Sequence, residues 1–75
     1  MVELVSYIAK SLVDHPEQVD VREVVEEDAI IIELRVSPED MGKVIGKQGR
    51  IAKAIRAIVK AATLKDDKPV FVEIV

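Results

Sequence analysis

A run of β-branched residues near the middle of the chain constrains the fold more than any other segment. From Ala29 to Val36 one side of the segment is entirely apolar, and Glu33 and Arg35 fall on the other, which is typical of a half-buried strand. The apolar side consists of Ile30, Ile32, Leu34 and Val36. The chain has 75 residues and no cysteine, so no disulfide framework can replace a hydrophobic core. The remaining segments must therefore cover this apolar side.

Hydrophobic periodicity divides the rest of the chain into further elements. The first helix ends before Pro16, because a residue that precedes proline is disfavoured in the helical region. The acidic turn at Glu26–Asp28 is short enough to join two strands as an antiparallel hairpin. The other predicted segments are a helix over Val2–Val13, a strand over Val19–Glu26, a short helix from Pro38 to about Ile45, a helix from about Arg50 to Thr63, and a strand over Pro69–Val75. The order is αββααβ, in a single domain over residues 1–75.

The junctions between these segments carry their own signals. Ser37 is expected to cap the helix that follows it, and the acids Glu39 and Asp40 to complement the helix dipole. Gly46 suits a left-handed conformation at the end of that helix. The polar run Lys65–Lys68 is expected to form a loop.

The net charge of -3 is distributed unevenly along the chain. Residues 1–40 contain 11 acids and 3 bases, whereas residues 41–62 contain 6 bases and no acid. Average acidity disfavours a polyanionic partner. The cationic segment nevertheless predicts an anion-binding site in the second half of the chain.

A glycine-bracketed tetrapeptide, Gly46-Lys47-Gln48-Gly49, lies inside this cationic segment. Glycines let a phosphate backbone approach without meeting Cβ atoms, and the start of the next helix offers N–H groups that favour anions. Helical spacing separates the side chains of that helix into a basic side and an apolar side. The basic side is Arg50, Lys53, Arg56 and Lys60, and the apolar side, expected to face the core, is Ile51, Ile55, Ile58, Val59 and Ala62.

The segment Val44–Ile51 resembles the I-G-x-x-G core of KH domains, and the order αββααβ resembles their type II, prokaryotic version. The whole chain is similar to the small stand-alone bacterial KH proteins of the KhpA type, including the phrases Asp14–Glu17 and Pro38–Gly49. The resemblance implies an α+β fold, with a three-stranded sheet and helices packed on one face. It also implies binding of single-stranded RNA, with about four nucleotides held at the loop.

The same resemblance implies roles for individual residues. Contacts with the sugar-phosphate backbone are expected from Gly46, Lys47, Gln48 and Gly49, and an apolar groove under the bases from Val44, Ile45, Ile51 and neighbouring strand residues. Charge and spacing add Lys43, Arg50 and Lys53 as candidate phosphate contacts. The family implies a homodimer, a complex with a larger KH protein of the KhpB type, or both. It also implies an RNA chaperone that influences cell elongation, division and wall homeostasis.

The composition shapes the expected binding mode. The aromatic residues are Tyr7 and Phe71, and neither is near the loop in sequence, so base stacking on aromatic side chains is not expected. Affinity should come from phosphate contacts and an aliphatic groove. Neutralising three or four phosphates predicts that log K falls against log salt with a slope of roughly -2 to -3.

Other functions fit the sequence less well. The segment Gly42–Lys47 is one residue short of a nucleotide-binding P-loop, and Gln48 replaces the Ser or Thr that would hold Mg²⁺. His15 is the only histidine, so we expect neither a catalytic triad nor a zinc site, and no enzyme activity, metal or other cofactor. The absence of cysteine fits a reducing cytoplasm, and no membrane partner is expected.

The alternative to RNA binding is a KH-fold module that acts mainly by dimerising. Small side chains on the last helix would allow a second helix to approach closely, although alanine is also simply a good helix former. These residues are Ala52, Ala54, Ala57 and Ala61.

Overall fold

The elements lie inside the segments that periodicity predicts. The computed structural model describes residues 1–63 and 68–75. The helices and strands of these residues are α1 (Val2–Leu12), β1 (Asp20–Val25), β2 (Ile30–Arg35), α2 (Met41–Ile45), α3 (Arg50–Ala62) and β3 (Val70–Ile74). Short 3₁₀ turns cover Pro16–Gln18, Pro38–Asp40 and Lys47–Gly49. The predicted order αββααβ is confirmed.

The three strands form one sheet in the order β1-β2-β3. β1 and β2 are antiparallel, with Asp20 opposite Arg35 and Val25 opposite Ile30, so the predicted hairpin is confirmed. β3 runs parallel to β2, with Val70 beside Ile30. Parallel neighbours need a crossover connection, and α2, the glycine loop and α3 supply it.

The core lies on one side of β2. Ile32 and Leu34 are completely buried there, and Val72 of β3 lies beside Ile32 on the same side. Side chains from all three helices pack against these strand residues: Val5 and Ala9 from α1, Val44 from α2, and Ile55 and Val59 from α3. The predicted α+β fold, with helices covering one face of a three-stranded sheet, is confirmed.

The other side of the sheet carries charged and partly exposed apolar residues. Because paired residues share a face, Arg22, Glu33 and Glu73 form one cross-strand row there. Val24, Ile31 and Phe71 form the next row. Within the described residues, no helix is long and apolar enough to cross a membrane.

Two local predictions about the helices are wrong. Among the described residues, Ser37 makes no capping hydrogen bond with its side chain; its backbone carbonyl instead accepts the N–H of Asp40 at 2.8 Å. On α3, Ile58 is 45% exposed and Ala62 is also exposed, whereas Ala52 is buried. Only part of the predicted apolar side of α3 packs in the core, because the helix has neighbours, mainly β3 and α2, on part of its circumference only.

The predicted loop at Lys65–Lys68 falls mainly outside the described residues, which resume at Lys68. The ammonium of Lys68 donates to the carbonyl of Glu26 at 2.9 Å. This bond joins the start of the last segment to the end of the β1–β2 hairpin.

The core assignment predicts unequal effects of two substitutions in the sheet. Ile32→Ala removes a completely buried side chain and should lower the free energy of unfolding by about 2–5 kcal/mol, since a cavity remains. Val25→Thr alters a side chain that is 60% exposed, and should change it by no more than about 0.5 kcal/mol. Urea denaturation followed by circular dichroism measures both, and equal losses would contradict the assignment.

Candidate nucleic-acid interface

Gly46 has a backbone conformation that other residues do not adopt. Its φ of 77° and ψ of 170° lie in a region that is essentially restricted to glycine. The left-handed helical conformation predicted for Gly46 is therefore wrong, although φ is positive as expected. A Cβ at this position would also lie 2.8 Å from the backbone nitrogen of Ile51. Gly46 is required by both the backbone and the packing.

The left-handed turn comes two residues later. Gln48 (φ 58°, ψ 24°) and Gly49 (φ 75°, ψ 14°) are both left-handed, and together they direct the chain into α3. The N–H of Gly49 donates to the carbonyl of Gly46 at 3.1 Å, which closes the turn. Lys47 and Gln48 are exposed at its tip. The loop thus presents a lysine, an amide and, at Gly49, an open position without a Cβ atom.

Basic side chains continue from the loop along α3. Lys47, Arg50 and Lys53 are exposed, and Arg50 lies at the first residue of α3, where the helix dipole is positive. The guanidinium of Arg50 lies 3.5 Å from the side-chain oxygen of Gln48. The structure therefore brings these predicted cationic residues together at one end of the helix.

The predicted groove residues differ in accessibility. Val44 is completely buried and packs in the core, so it has no surface that a ligand could contact. Ile45 is 40% exposed, and Ile51 is partly buried against the core. Of these three, Ile45 presents the most surface to a ligand.

Lys43 has a different environment from the other predicted phosphate contacts. Its ammonium bonds to the carboxylate of Asp14 and lies 3.8 Å from that of Asp40. The hydrogen bond with Asp14 raises the pKa of Lys43, and the same bond lowers the pKa of Asp14. The side chain of Lys43 thus lies between Asp14, which follows α1, and Asp40, which precedes α2.

A groove that sequence reasoning missed lies between α3 and the edge strand β3. It has a volume of about 500 Å³, within the range of ligand sites. Its helix wall includes Arg56, Lys60 and Thr63, and its strand wall runs from Lys68 to Val72. The basic pattern on α3 identified Arg56 and Lys60, but only the crossover places them opposite β3.

Two contacts define the character of this groove. The guanidinium Nε of Arg56 donates to the backbone carbonyl of Val72 at 3.4 Å and bridges helix and strand. Phe71, 54% exposed, lies on the bordering strand and lines this groove. The groove combines an apolar strand wall with a basic helix wall.

The three glycines of this region should respond differently to substitution. Gly46→Ala should destabilise the fold by about 1–3 kcal/mol or more, because it combines a forbidden backbone region with a clash. Gly49→Asn should be nearly neutral, since asparagine tolerates the left-handed region and nothing lies within 4 Å of its Cβ. Gly42→Ala, in open space within α2, should stabilise by up to about 1 kcal/mol. Urea titrations of the three variants check this ranking, and a neutral Gly46→Ala would contradict it.

Comparisons with known proteins agree with this architecture. The family model described as KhpA/KhpB, KH domain, matches residues 2–74. The chain is 71% identical over 75 residues to RNA-binding protein KhpA of Clostridium perfringens, and 64% identical over 75 residues to that of Clostridium acetobutylicum, with 100% of each chain covered in both cases. It is 52% identical over 75 residues to RNA-binding protein KhpA of Listeria monocytogenes serovar 1/2a, covering 100% of this chain and 99% of that one. The chain belongs to the KhpA/KhpB family of KH domains.

Proposed function

We propose that this protein binds single-stranded RNA, with the sugar-phosphate backbone at the Gly46–Gly49 loop and the bases along the groove between α3 and β3. The observation that carries the proposal is the row of exposed basic side chains on α3 between the loop and the groove, namely Arg50, Lys53, Arg56 and Lys60. KH domains use such a loop to hold about four nucleotides. The similar proteins from Clostridium and Listeria carry RNA binding in their names.

The loop supplies the contacts for the phosphates. Gly49, where a Cβ would meet nothing within 4 Å, leaves room for the backbone of a ligand, and Lys47 and Arg50 provide positive charge beside it. The N-terminus of α3 adds a favourable dipole at the same point. An RNA backbone at this place would meet positive potential from side chains and main chain together.

The groove supplies the contacts for the bases. Arg56 lies about 9 Å along α3 from Arg50, and Lys60 about 15 Å, at 1.5 Å per helical residue. The partly buried Val70 and the exposed Phe71 offer apolar surface on the opposite wall. Bases can therefore lie against the strand while the phosphates follow the basic side of the helix.

The acidic remainder of the chain limits where RNA can bind. Residues 1–40 carry 11 acids against 3 bases, so the surface outside the loop and α3 repels a polyanion. We expect RNA to be directed to the one cationic region.

The biological role proposed for the family extends beyond binding. We propose that the protein acts as an RNA chaperone together with a larger KH protein of the KhpB type, in cell elongation, division and wall homeostasis. This part rests on the resemblance to the family alone.

The loop proposal predicts a specific change in salt dependence. Lys47→Met should weaken binding of a fluorescein-labelled, randomised twelve-nucleotide RNA several-fold, because one phosphate contact is lost. The slope of log K against log salt should become less steep by about 0.7 between about 50 and 200 mM salt. Fluorescence anisotropy titrations measure both quantities.

The matched control for this experiment is Lys10→Met, which removes the same charge from the exposed last part of α1. It should leave the slope unchanged. A Lys47→Met variant with the wild-type slope would contradict the loop contact, and a flat salt response of the wild type would contradict the whole mechanism.

Self-association is a second candidate function, and the exposure of Ile58 favours it. This side chain is 45% exposed on α3, beside the exposed small residues Ala54, Ala57, Ala61 and Ala62. An apolar strip of this kind lets two helices approach closely. At 100° per residue, Ile58 lies about 160° around α3 from both Arg56 and Lys60, so a contact centred on Ile58 leaves these two side chains free to bind RNA.

Sedimentation velocity tests this second candidate. Ile58→Asp should convert a dimer into a monomer, because it places a charge in the contact. Tyr7→Asp introduces the same charge at a side chain that is 73% exposed on α1 and should leave the dimer intact. A monomeric wild type at high concentration would contradict self-association.

A further inference from the structure

A cluster of charged side chains joins the end of α1 to the start of α2. At its centre is Asp40, which is 1% exposed. Its two carboxylate oxygens accept the backbone N–H groups of Asp14, at 3.2 Å, and His15, at 3.0 Å. Glu39 lies beside it and is 3.2 Å from the imidazole of His15. Asp14 and His15 are remote in sequence from the glycine loop, whereas Asp40 directly precedes the helix that leads into it.

Lys43 closes the cluster one turn further along α2. Its ammonium bonds to Asp14 and lies 3.8 Å from Asp40, so two acids share one base. The pKa of Asp14 is lowered and that of Lys43 raised, both first by their mutual hydrogen bond. Both groups of the pair are therefore charged over the whole range from about pH 4 to about pH 10.4.

The geometry makes Lys43 a poor phosphate ligand. A phosphate that approached its ammonium would meet the carboxylates of Asp14 and Asp40. Two carboxylates against one ammonium leave negative charge at this place. Lys47 and Arg50, in contrast, lie in a stretch from residue 41 to residue 62 that contains no acid.

α2 needs such an external anchor because it is short. It has five residues, and a helix of this length is unstable by itself in water. The completely buried Val44 holds one side of it in the core. Asp40 and Lys43 tie it to the chain after α1, across 25 to 29 residues of sequence.

The direction of α2 determines where the loop begins. Gly46 follows its last residue directly, and the N–H of Gly46 donates to the carbonyl of Gly42 at 2.8 Å. A rotation of α2 would therefore displace the first glycine of the loop.

We propose that Lys43, together with Asp14 and Asp40, is a positioning residue that holds α2 and the glycine loop in the binding geometry, and that it makes no phosphate contact itself. The inference rests on the proposed RNA-binding function of the loop. It assigns Lys43 a different role from Lys47, although both are lysines of the same basic segment.

The decisive variant is Asp14→Asn, because the two roles predict opposite results. If Lys43 positions the loop, the broken pair should weaken RNA binding several-fold, even though a negative charge has been removed. If Lys43 is a phosphate ligand restrained by Asp14, the same variant should release it, strengthen binding and steepen the salt slope. Either stronger or unchanged binding overturns the proposal.

Lys43→Met tests the same point from the other partner. It should weaken binding several-fold and leave the salt slope at the wild-type value, whereas Lys47→Met should make the slope less steep by about 0.7. A change of that size in Lys43→Met overturns the proposal. Loss of RNA binding by the wild type, or an unchanged slope in Lys47→Met, would instead mean that the proposed function itself fails.

Control variants separate positioning from general effects of charge and stability. Glu39→Gln removes the same charge beside the cluster from an exposed side chain that contacts His15, and should not weaken binding. Asp14→Glu and Lys43→Arg keep an ion pair and should keep affinity near that of the wild type. Asp14 and Lys43 are both exposed, so these variants should fold, and urea titration confirms that each is native in the binding assay.

A structural readout completes the test. In ¹H–¹⁵N NMR spectra, Asp14→Asn and Lys43→Met should both shift the amide signals of Gly46, Lys47 and Gly49, and leave those of the distant Val72 unchanged. The double variant should bind RNA no more weakly than Lys43→Met alone, because the bond that Asp14→Asn breaks is already absent in that variant. Unshifted loop signals, or additive losses in the double variant, overturn the proposal.

Discussion

Burial of one side of β2 is the constraint on which the rest of this structure depends. Ile32 and Leu34 have no exposed surface, and every helix contributes side chains to the cluster around them. Because β3 joins the same sheet in parallel, the chain must cross over the core-facing side to reach it. The two helices of that crossover cover the core, and the break between them is the glycine loop. The candidate binding site is thus a product of how the sheet is covered.

A buried carboxylate provides the second organising interaction. An isolated charge inside a protein is unfavourable, so Asp40 is stable only because two backbone N–H groups donate to it and Lys43 lies close by. These partners link the end of α1 to α2, and α2 leads directly into the loop. The sequence assigns Asp40 only to the start of a helix. In the structure its carboxylate also connects the end of the first helix to the candidate binding region.

The charge distribution reconciles an acidic protein with an anionic ligand. The acids are concentrated in residues 1–40, and the bases from Lys47 to Lys60 surround the loop and one wall of the groove. Net charge averages these two regions and hides the contrast between them. A cationic site with an acidic surround favours binding at one place over binding along the whole surface.

Local patterns were sufficient for the elements and for the loop. The alternation in β2, the hairpin turn and the helical spacing of α3 depend on residues a few positions apart, so the sequence alone predicts them. The family resemblance of Val44–Ile51 rests on equally local information. Even so, the conformation predicted for Gly46 is wrong: its φ is positive as expected, but its ψ of 170° lies outside the left-handed helical region.

The remaining features depend on contacts between distant segments. Lys43 bonds to Asp14, 29 residues away, and Arg56 donates to Val72 across the groove, 16 residues away. No periodicity reports such pairs, since each arises only when helices and strands pack. Helical spacing likewise places Ile58 on the apolar side of α3, but the core buries Ile55 and Val59 of this helix and leaves Ile58 exposed. Short-range patterns thus specify which elements form and which loop joins them. Packing decides that Lys47 is exposed at the loop and that Lys43 bonds to Asp14.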